Sequence, residues 1–145
     1  MHEVMLELAH QIIRDGEGAE KFLSITVKGA LSNKVCEDIA KAIAGSSLVK
    51  TAFSGNFANW GRVIAAIGKT KYPVDRDTLA INIGEMEVIR DGELSPDYNE
   101  NAVNNYIKNP EIDIFVSVGT KKISSTIWTC DLTYAYVDIN TDYIN

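Results

Sequence analysis

Apolar residues repeat along this chain with two different periods, which limits the folds open to it. Residues 22–29 and 112–118 carry an apolar side chain at every second position, the pattern of a strand with one buried face. Four other segments repeat at steps of three and four, which predicts amphipathic helices. These are residues 4–13, 33–45, 60–67 and 99–108. The chain therefore packs several helices against sheet.

Further strands are predicted from composition and turn signals. Residues 48–53 and 125–137 are rich in β-branched and aromatic residues, and residues 79–83 alternate. The dipeptide Asp91-Gly92 predicts a hairpin because it favours the tight turn between paired strands. The predicted order, α, β, α, β, α, β, β, α, β, β, favours an α+β fold with mixed, mainly antiparallel sheets over a doubly wound nucleotide-binding fold.

Length and composition set further limits. The 145 residues fit one domain or two small lobes, and the polar segment around Pro73 predicts a boundary between residues 1–70 and 71–145. The net charge of −6 argues against nucleic acid as the main partner. An apolar run long enough to cross a membrane and a secretory signal are both missing from the sequence. Cys36 and Cys130 predict two free buried thiols in a reducing compartment.

The segment Asp15-Gly16-Glu17-Gly18-Ala19 is the most site-like in the chain. Gly16 is expected to end the first helix in a left-handed conformation, and the two glycines let the backbone turn sharply around Glu17. A carboxylate held in such a turn can pair with the ammonium group of a substrate. Local pattern alone favours the other interpretation, a helix end followed by a turn with Glu17 in solvent.

Two other polar groups invite a functional and a structural interpretation. Asn59 fits the N-cap of a helix, and a helix N-terminus can also attract an anion. Arg62 can bind a carboxylate through two N–H groups or lie on a surface. Asp131 is predicted to be a structural acid embedded in a strand, where it needs partners.

The spacing of His2 and His10 matches no metal site, and we expect no metal.

Five segments resemble, in order and spacing, the ornithine acetyltransferase family, also called bifunctional glutamate N-acetyltransferase or ArgJ type. They are RDGEGA at 14–19, LVKTA at 48–52, NWGR at 59–62, WTCDLTYAYV at 128–137 and INTDY at 139–143. The resemblance implies the α/β sandwich of that self-cleaving family and matches the C-terminal part of its β chain. It implies transfer of an acetyl group from N2-acetylornithine to L-glutamate through an acetyl-enzyme on Thr, with acetyl-CoA a further substrate in some members.

The resemblance also assigns site residues. Members cleave themselves at an Ala-Thr bond, and this sequence contains no Ala-Thr dipeptide, so no catalytic residue is expected in this chain. Glu17 and Asn140 match the family's substrate-binding Glu and Asn. Asn145 stands where members usually end in a Thr that also touches substrate. The opening helix, which begins almost at Met1, agrees with a chain that lacks its N-terminal part.

The implied protein is a cytoplasmic enzyme that uses no cofactor. Its partners are the two substrates and the missing N-terminal part, in an α2β2 hetero-oligomer. The chain alone is expected to be inactive and to expose an apolar surface that the missing part covers. The alternative is a non-catalytic remnant that acts as a binding or interaction module.

Overall fold

The computed structural model describes residues 1–142, in which six α-helices and six β-strands follow one another. The helices are α1 (His2–Arg14), α2 (Asn33–Ala44), α3 (Ser47–Ser54), α4 (Trp60–Gly68), α5 (Glu100–Tyr106) and α6 (Tyr134–Asp142). The strands are β1 (Phe22–Lys28), β2 (Ala80–Ile83), β3 (Met86–Arg90), β4 (Glu93–Leu94), β5 (Glu111–Ser117) and β6 (Ser124–Cys130).

The strands form a six-stranded sheet in the order β4-β3-β2-β5-β1-β6. The neighbouring strands β1 and β5 are parallel, with Phe22 opposite Glu111, and the other neighbouring strands are antiparallel. This confirms the predicted α+β class with a mixed, mainly antiparallel sheet. Strands from both predicted lobes enter this sheet, and the division at residue 70 stays a prediction.

The core lies on one face of the sheet. Alternate residues of β1 and β5 point into it, because successive side chains of a strand face opposite ways, and Ile25 and Ile114 are fully buried there. Helices α2, α3, α4 and α5 and strands β2 and β3 contribute further residues to the same cluster. None of the helices in residues 1–142 is long and apolar enough to cross a membrane.

The opposite face of the sheet is only partly covered, and α1 covers it at the β6 edge. The His10 ring lies 4.6 Å from the Trp128 ring and 5.2 Å from the Phe22 ring, centroid to centroid. Arg14 lies 4.4 Å above the Phe22 ring and forms a 3.0 Å ion pair with Glu111. Elsewhere on this face Phe115 remains 43% exposed.

The apolar side of α1 faces away from the protein core. Within the apolar stripe that the sequence predicts, Val4, Met5, Leu8 and Ile12 are between 53% and 74% exposed, and Ile13 is partly buried. No residue of α1 is buried. The helix is amphipathic as predicted, but nothing in the described part of the chain covers its apolar stripe.

One strand prediction is wrong and another is confirmed only in its first half. Residues 48–53 belong to α3, where the Ser46 hydroxyl accepts a hydrogen bond from the backbone N–H of Val49 and caps the helix. Residues 125–130 lie in β6 as predicted, whereas residues 134–137 form the start of α6. The apolar content of such short segments fits a strand or a buried helix, and the capping residue decides which forms. The predicted Asp91-Gly92 turn is confirmed, with φ of 50° and 73°, between β3 and β4.

Candidate functional site

Glu17 lies in the turn between α1 and β1, and Gly18 gives this turn its shape. Gly18 has φ of +66°, whereas Gly16, the expected left-handed residue, does not have a positive φ. A Cβ atom on Gly18 would overlap the backbone nitrogen of Tyr136 and lie 2.9 Å from the carbonyl carbon of Ala135. The absence of a side chain therefore permits both the turn and the close approach of α6.

Asn140 lies on α6 and reaches the same turn. Its side-chain amide donates to the Glu17 carboxylate at 3.3 Å and to the backbone carbonyl of Tyr136 at 2.8 Å. The structure thus brings together two predicted site residues that are 123 positions apart. Both side chains are exposed, so a ligand can reach them. Asn145, the third predicted site residue, lies outside the described residues.

Thr133, at the start of α6, makes two hydrogen bonds at this site. Its hydroxyl donates to the carbonyl of Gly18 at 2.5 Å and accepts from the backbone N–H of Tyr136 at 3.2 Å. The second bond caps the helix, because it satisfies an N–H of the first turn. Thr133 is only 6% exposed. Sequence reasoning missed it, because the helix start was hidden in an apparent strand.

Asp131 holds the other end of the Glu17 turn. Its Oδ1 accepts from the backbone N–H groups of Glu20 and Lys21, each at 2.9 Å, and the residue is 3% exposed. Its Oδ2 is buried and has no hydrogen-bond partner among residues 1–142. The predicted structural role of this acid agrees with these contacts, although Asp131 follows β6 and does not lie within it.

Lys21 is a buried lysine beside this acid. Its Nζ donates to the carbonyl of Phe53 at 2.6 Å, at the end of α3, and to the side chain of Asn56. Burial lowers the pKa of Lys21 below its ordinary value of 10.5, and the charges of Asp131 and Glu20 oppose that shift. Lys21 therefore ties the segment after the Glu17 turn to α3.

The remaining candidates have structural contacts. The Asn59 side chain accepts from the N–H of Arg62 and caps α4 as predicted, and Arg62 donates to the carbonyl of Leu48 at 2.7 Å. Both cysteines are free thiols, Cys36 buried and Cys130 partly buried. Within residues 1–142, no group of three or more His, Cys, Asp or Glu side chains is arranged to hold a metal ion.

The arrangement at Glu17 is suited to recognition. An exposed carboxylate stands beside a side-chain amide, which together can bind a cationic group and an adjacent polar group of one small molecule. The turn that carries Glu17 is fixed by Gly18, Thr133 and Asp131, so the carboxylate is presented in a defined place. The sequence contains no Ala-Thr dipeptide.

Comparison with known proteins agrees with the motifs. The chain is 49% identical over 140 residues to the arginine biosynthesis bifunctional protein ArgJ of Zymomonas mobilis, and 48% identical over 140 residues to that of Caulobacter vibrioides. These alignments cover 97% of this chain but only 34% and 35% of the relatives. The chain therefore spans about a third of the length of these relatives.

A solved structure extends the comparison to the fold. The crystal structure of the arginine biosynthesis bifunctional protein argJ from Bacillus halodurans superimposes with a TM-score of 0.91 at 39% sequence identity. The match covers 98% of this chain and 68% of that chain. The ArgJ family matches residues 1–145, the whole sequence. The resemblance carried by the five motifs is thereby confirmed, and the chain belongs to the ArgJ family.

Proposed function

We propose that this chain is the C-terminal part of a glutamate N-acetyltransferase of arginine biosynthesis, which moves the acetyl group of N2-acetylornithine to glutamate. Family membership over the whole sequence supports the proposal. The single observation that carries it is the contact between Asn140 and Glu17, because two residues assigned to substrate by the resemblance meet at one exposed place.

In the proposed reaction this chain binds and orients the substrate. Glu17 pairs with the charged side-chain amine of N2-acetylornithine, or with the amine of incoming glutamate before that amine loses its proton, and Asn140 offers its amide to a polar group beside it. A Thr hydroxyl in the preceding part of the polypeptide attacks the acetyl carbonyl, and the amide C–N bond breaks from a tetrahedral intermediate held by an oxyanion hole, so that ornithine leaves with the proton on its amine. The neutral amine of glutamate then attacks the Thr ester and takes the acetyl group, which restores the Thr hydroxyl. Recognition of the amine by Glu17 places the acyl group relative to that hydroxyl, so that much of the entropy of bringing the reactants together is lost on binding.

The missing part is the proposed partner of the uncovered surfaces. The chain spans about a third of its relatives, and both the apolar stripe of α1 and the Phe115 region of the sheet are exposed. An apolar patch that the rest of the chain leaves exposed is a place where another polypeptide can pack. We propose that the preceding part of the enzyme packs there and that the complete enzyme forms an α2β2 hetero-oligomer.

The proposed enzyme uses its substrates without a bound cofactor, and acetyl-CoA serves as an alternative acetyl donor if the enzyme is bifunctional. We place the reaction in the cytoplasm, where thiols stay reduced, in accord with the free cysteines Cys36 and Cys130. The chain alone is proposed to be inactive because it holds no Ala-Thr junction.

A chimaera tests the function. The matching 140-residue segment of the Zymomonas mobilis relative is replaced by this chain, at 49% identity, and acetyl transfer from N2-acetylornithine to glutamate is measured. We expect activity in the chimaera and none in the isolated chain. A folded, self-cleaved chimaera without transfer would instead support a non-catalytic binding module. Turnover by the isolated chain would contradict the proposed division of labour.

A further inference from the structure

We propose that Thr133 is a positioning residue that sets the place of Asn140 relative to Glu17. Its consequence for catalysis rests on the function proposed above, whereas its consequence for the structure does not. The hydroxyl of Thr133 contacts both the Glu17 turn, at the carbonyl of Gly18, and the first turn of α6, at the N–H of Tyr136.

The Thr133 hydroxyl acts as a hydrogen-bond donor and as an acceptor at the same time. The proton goes to the Gly18 carbonyl at 2.5 Å, and an oxygen lone pair accepts the Tyr136 N–H at 3.2 Å. Thr133 is 6% exposed, so water does not readily take the place of either partner. The bond to Gly18 spans 115 positions of sequence and joins the residue next to Glu17 to the helix that carries Asn140.

Besides this link, helix α6 is held by the close approach of its first turn to Gly18 and by the contact of Asn140 with Glu17. No residue of α6 is buried, and Tyr134 at its start is 91% exposed. A helix of nine residues is marginal in water without packing or capping. The cap at Thr133 therefore determines whether α6 forms, and the bond to Gly18 determines where it lies.

The turn itself has a separate anchor, which isolates the role of Thr133. Asp131 binds the N–H groups of Glu20 and Lys21, on the far side of the turn from Gly18. Loss of the Thr133 hydroxyl thus leaves the turn attached to the residue 131 loop and releases α6. The distance that changes is the 3.3 Å contact between Asn140 Nδ2 and Glu17 Oε2.

The structural arm compares Thr133→Val and Thr133→Ser in the full 145-residue chain by NMR. In Thr133→Val the amides of residues 135–140 should exchange at least about tenfold faster, because the cap is lost. The nuclear Overhauser contact between the Asn140 amide and the Glu17 side chain should disappear. Thr133→Ser keeps the hydroxyl and should restore both signals. Amides of Ile25 and Ile114 in the core report that the fold is intact in each variant.

Unchanged exchange in α6 and a retained Asn140–Glu17 contact in Thr133→Val would overturn the proposal. If amide exchange in α6 rose equally in the Val and Ser variants, the proposal would be overturned as well, because the effect would then come from the shape of the side chain and not from its hydroxyl.

The catalytic arm uses the chimaera. We expect Thr133→Val to raise KM for both substrates about tenfold while kcat changes less than threefold, because binding is lost before chemistry. A parallel fall in kcat and in the amount of folded protein would overturn the positioning role. A wild-type chimaera without activity counts against the proposed function, and the NMR comparison still decides whether Thr133 holds the two residues together.

Discussion

The backbone N–H of Lys21 donates to the carboxylate of Asp131 at 2.9 Å, while the Lys21 side chain turns away and reaches the end of α3. The two residues therefore connect three separate parts of the chain: the Glu17 turn, the segment after β6 and helix α3. Because both residues are nearly completely buried, we expect substitution of either one to change the free energy of unfolding.

Replacement of Asp131 by Ala should destabilise the protein. It removes the acceptor of one buried N–H group, that of Lys21, and one partly buried N–H group, that of Glu20, and a buried unsatisfied group costs about 1–3 kcal/mol. We expect the free energy of unfolding to fall by about 2–4 kcal/mol, measured by urea denaturation at unchanged m value. Asp142→Ala, at an exposed end of α6, is the control and should stay within about 0.5 kcal/mol of the parent.

Lys21 should give the protein a pH-dependent stability at alkaline pH. Its pKa in the folded state is lowered by burial, so the unfolded chain binds more protons between that pKa and 10.5. Stability relative to a Lys21→Met variant should therefore rise with pH through this interval. Unfolding free energies of both proteins, measured from pH 7 upward, check the sign. A difference that falls with rising pH would show that the folded state favours the charged amine.

Gly18→Ala should disturb α6 more than the rest of the fold. The new Cβ meets the backbone of Tyr136 and Ala135, and φ of +66° is strained for Ala. We expect a loss of about 1–3 kcal/mol and reduced helix content by circular dichroism. Gly68→Ala is the matched control, because no atom lies within 4 Å of its Cβ position, and it should be neutral or slightly stabilising.

The central strands were predictable, and the site contacts were not. Strands β1 and β5 carry an apolar residue at every second position, because one face of each strand is buried in the core. Helix α3 was mistaken for a strand because a short apolar segment fits both, and only the Ser46 cap distinguishes them.

Thr133 and Asp131 act across more than a hundred residues of sequence, so no local window contains their partners. Glu17 and Asn140 were identified through the family resemblance, while the local pattern favoured an ordinary turn. The structure adds the contact between them, which neither the pattern nor the motifs contain.

The exposed stripe of α1 should make the isolated chain associate with itself. Leu8 and Ile12 are 53% and 74% exposed on one side of the helix, so burial of that side between two copies removes apolar area from water. Sedimentation velocity should show species larger than a monomer, and the double variant Leu8→Lys/Ile12→Lys should reduce them. The control is Glu3→Lys/Glu7→Lys, which changes the net charge more but leaves the apolar stripe intact. It should reduce the association less than Leu8→Lys/Ile12→Lys does. If the parent chain were a monomer, the exposed apolar stripe of α1 would not be sufficient to drive self-association.

Glu17→Gln is the most direct test of the site. The change keeps the size of the side chain and removes the charge that, in the proposed function, pairs with a substrate ammonium. Glu17 is exposed and takes no part in the core, so the melting temperature of the chimaera and its self-cleavage should not change. Loss of one partner of a charge pair buried by bound substrate costs about 2 kcal/mol or more, and kcat/KM should fall by about thirtyfold or more.

The control for this substitution is Glu85→Gln, in the exposed turn between β2 and β3. It makes the same chemical change at a position without a side-chain hydrogen bond in the described structure, so the activity should stay within about twofold. Asn140→Asp supplies the opposite change, because it places a second carboxylate 3.3 Å from the first and should weaken their contact. Wild-type kinetics in Glu17→Gln with both substrates would mean that the carboxylate serves the turn alone, and the substrate amine would then have to be bound by another group of the complete enzyme.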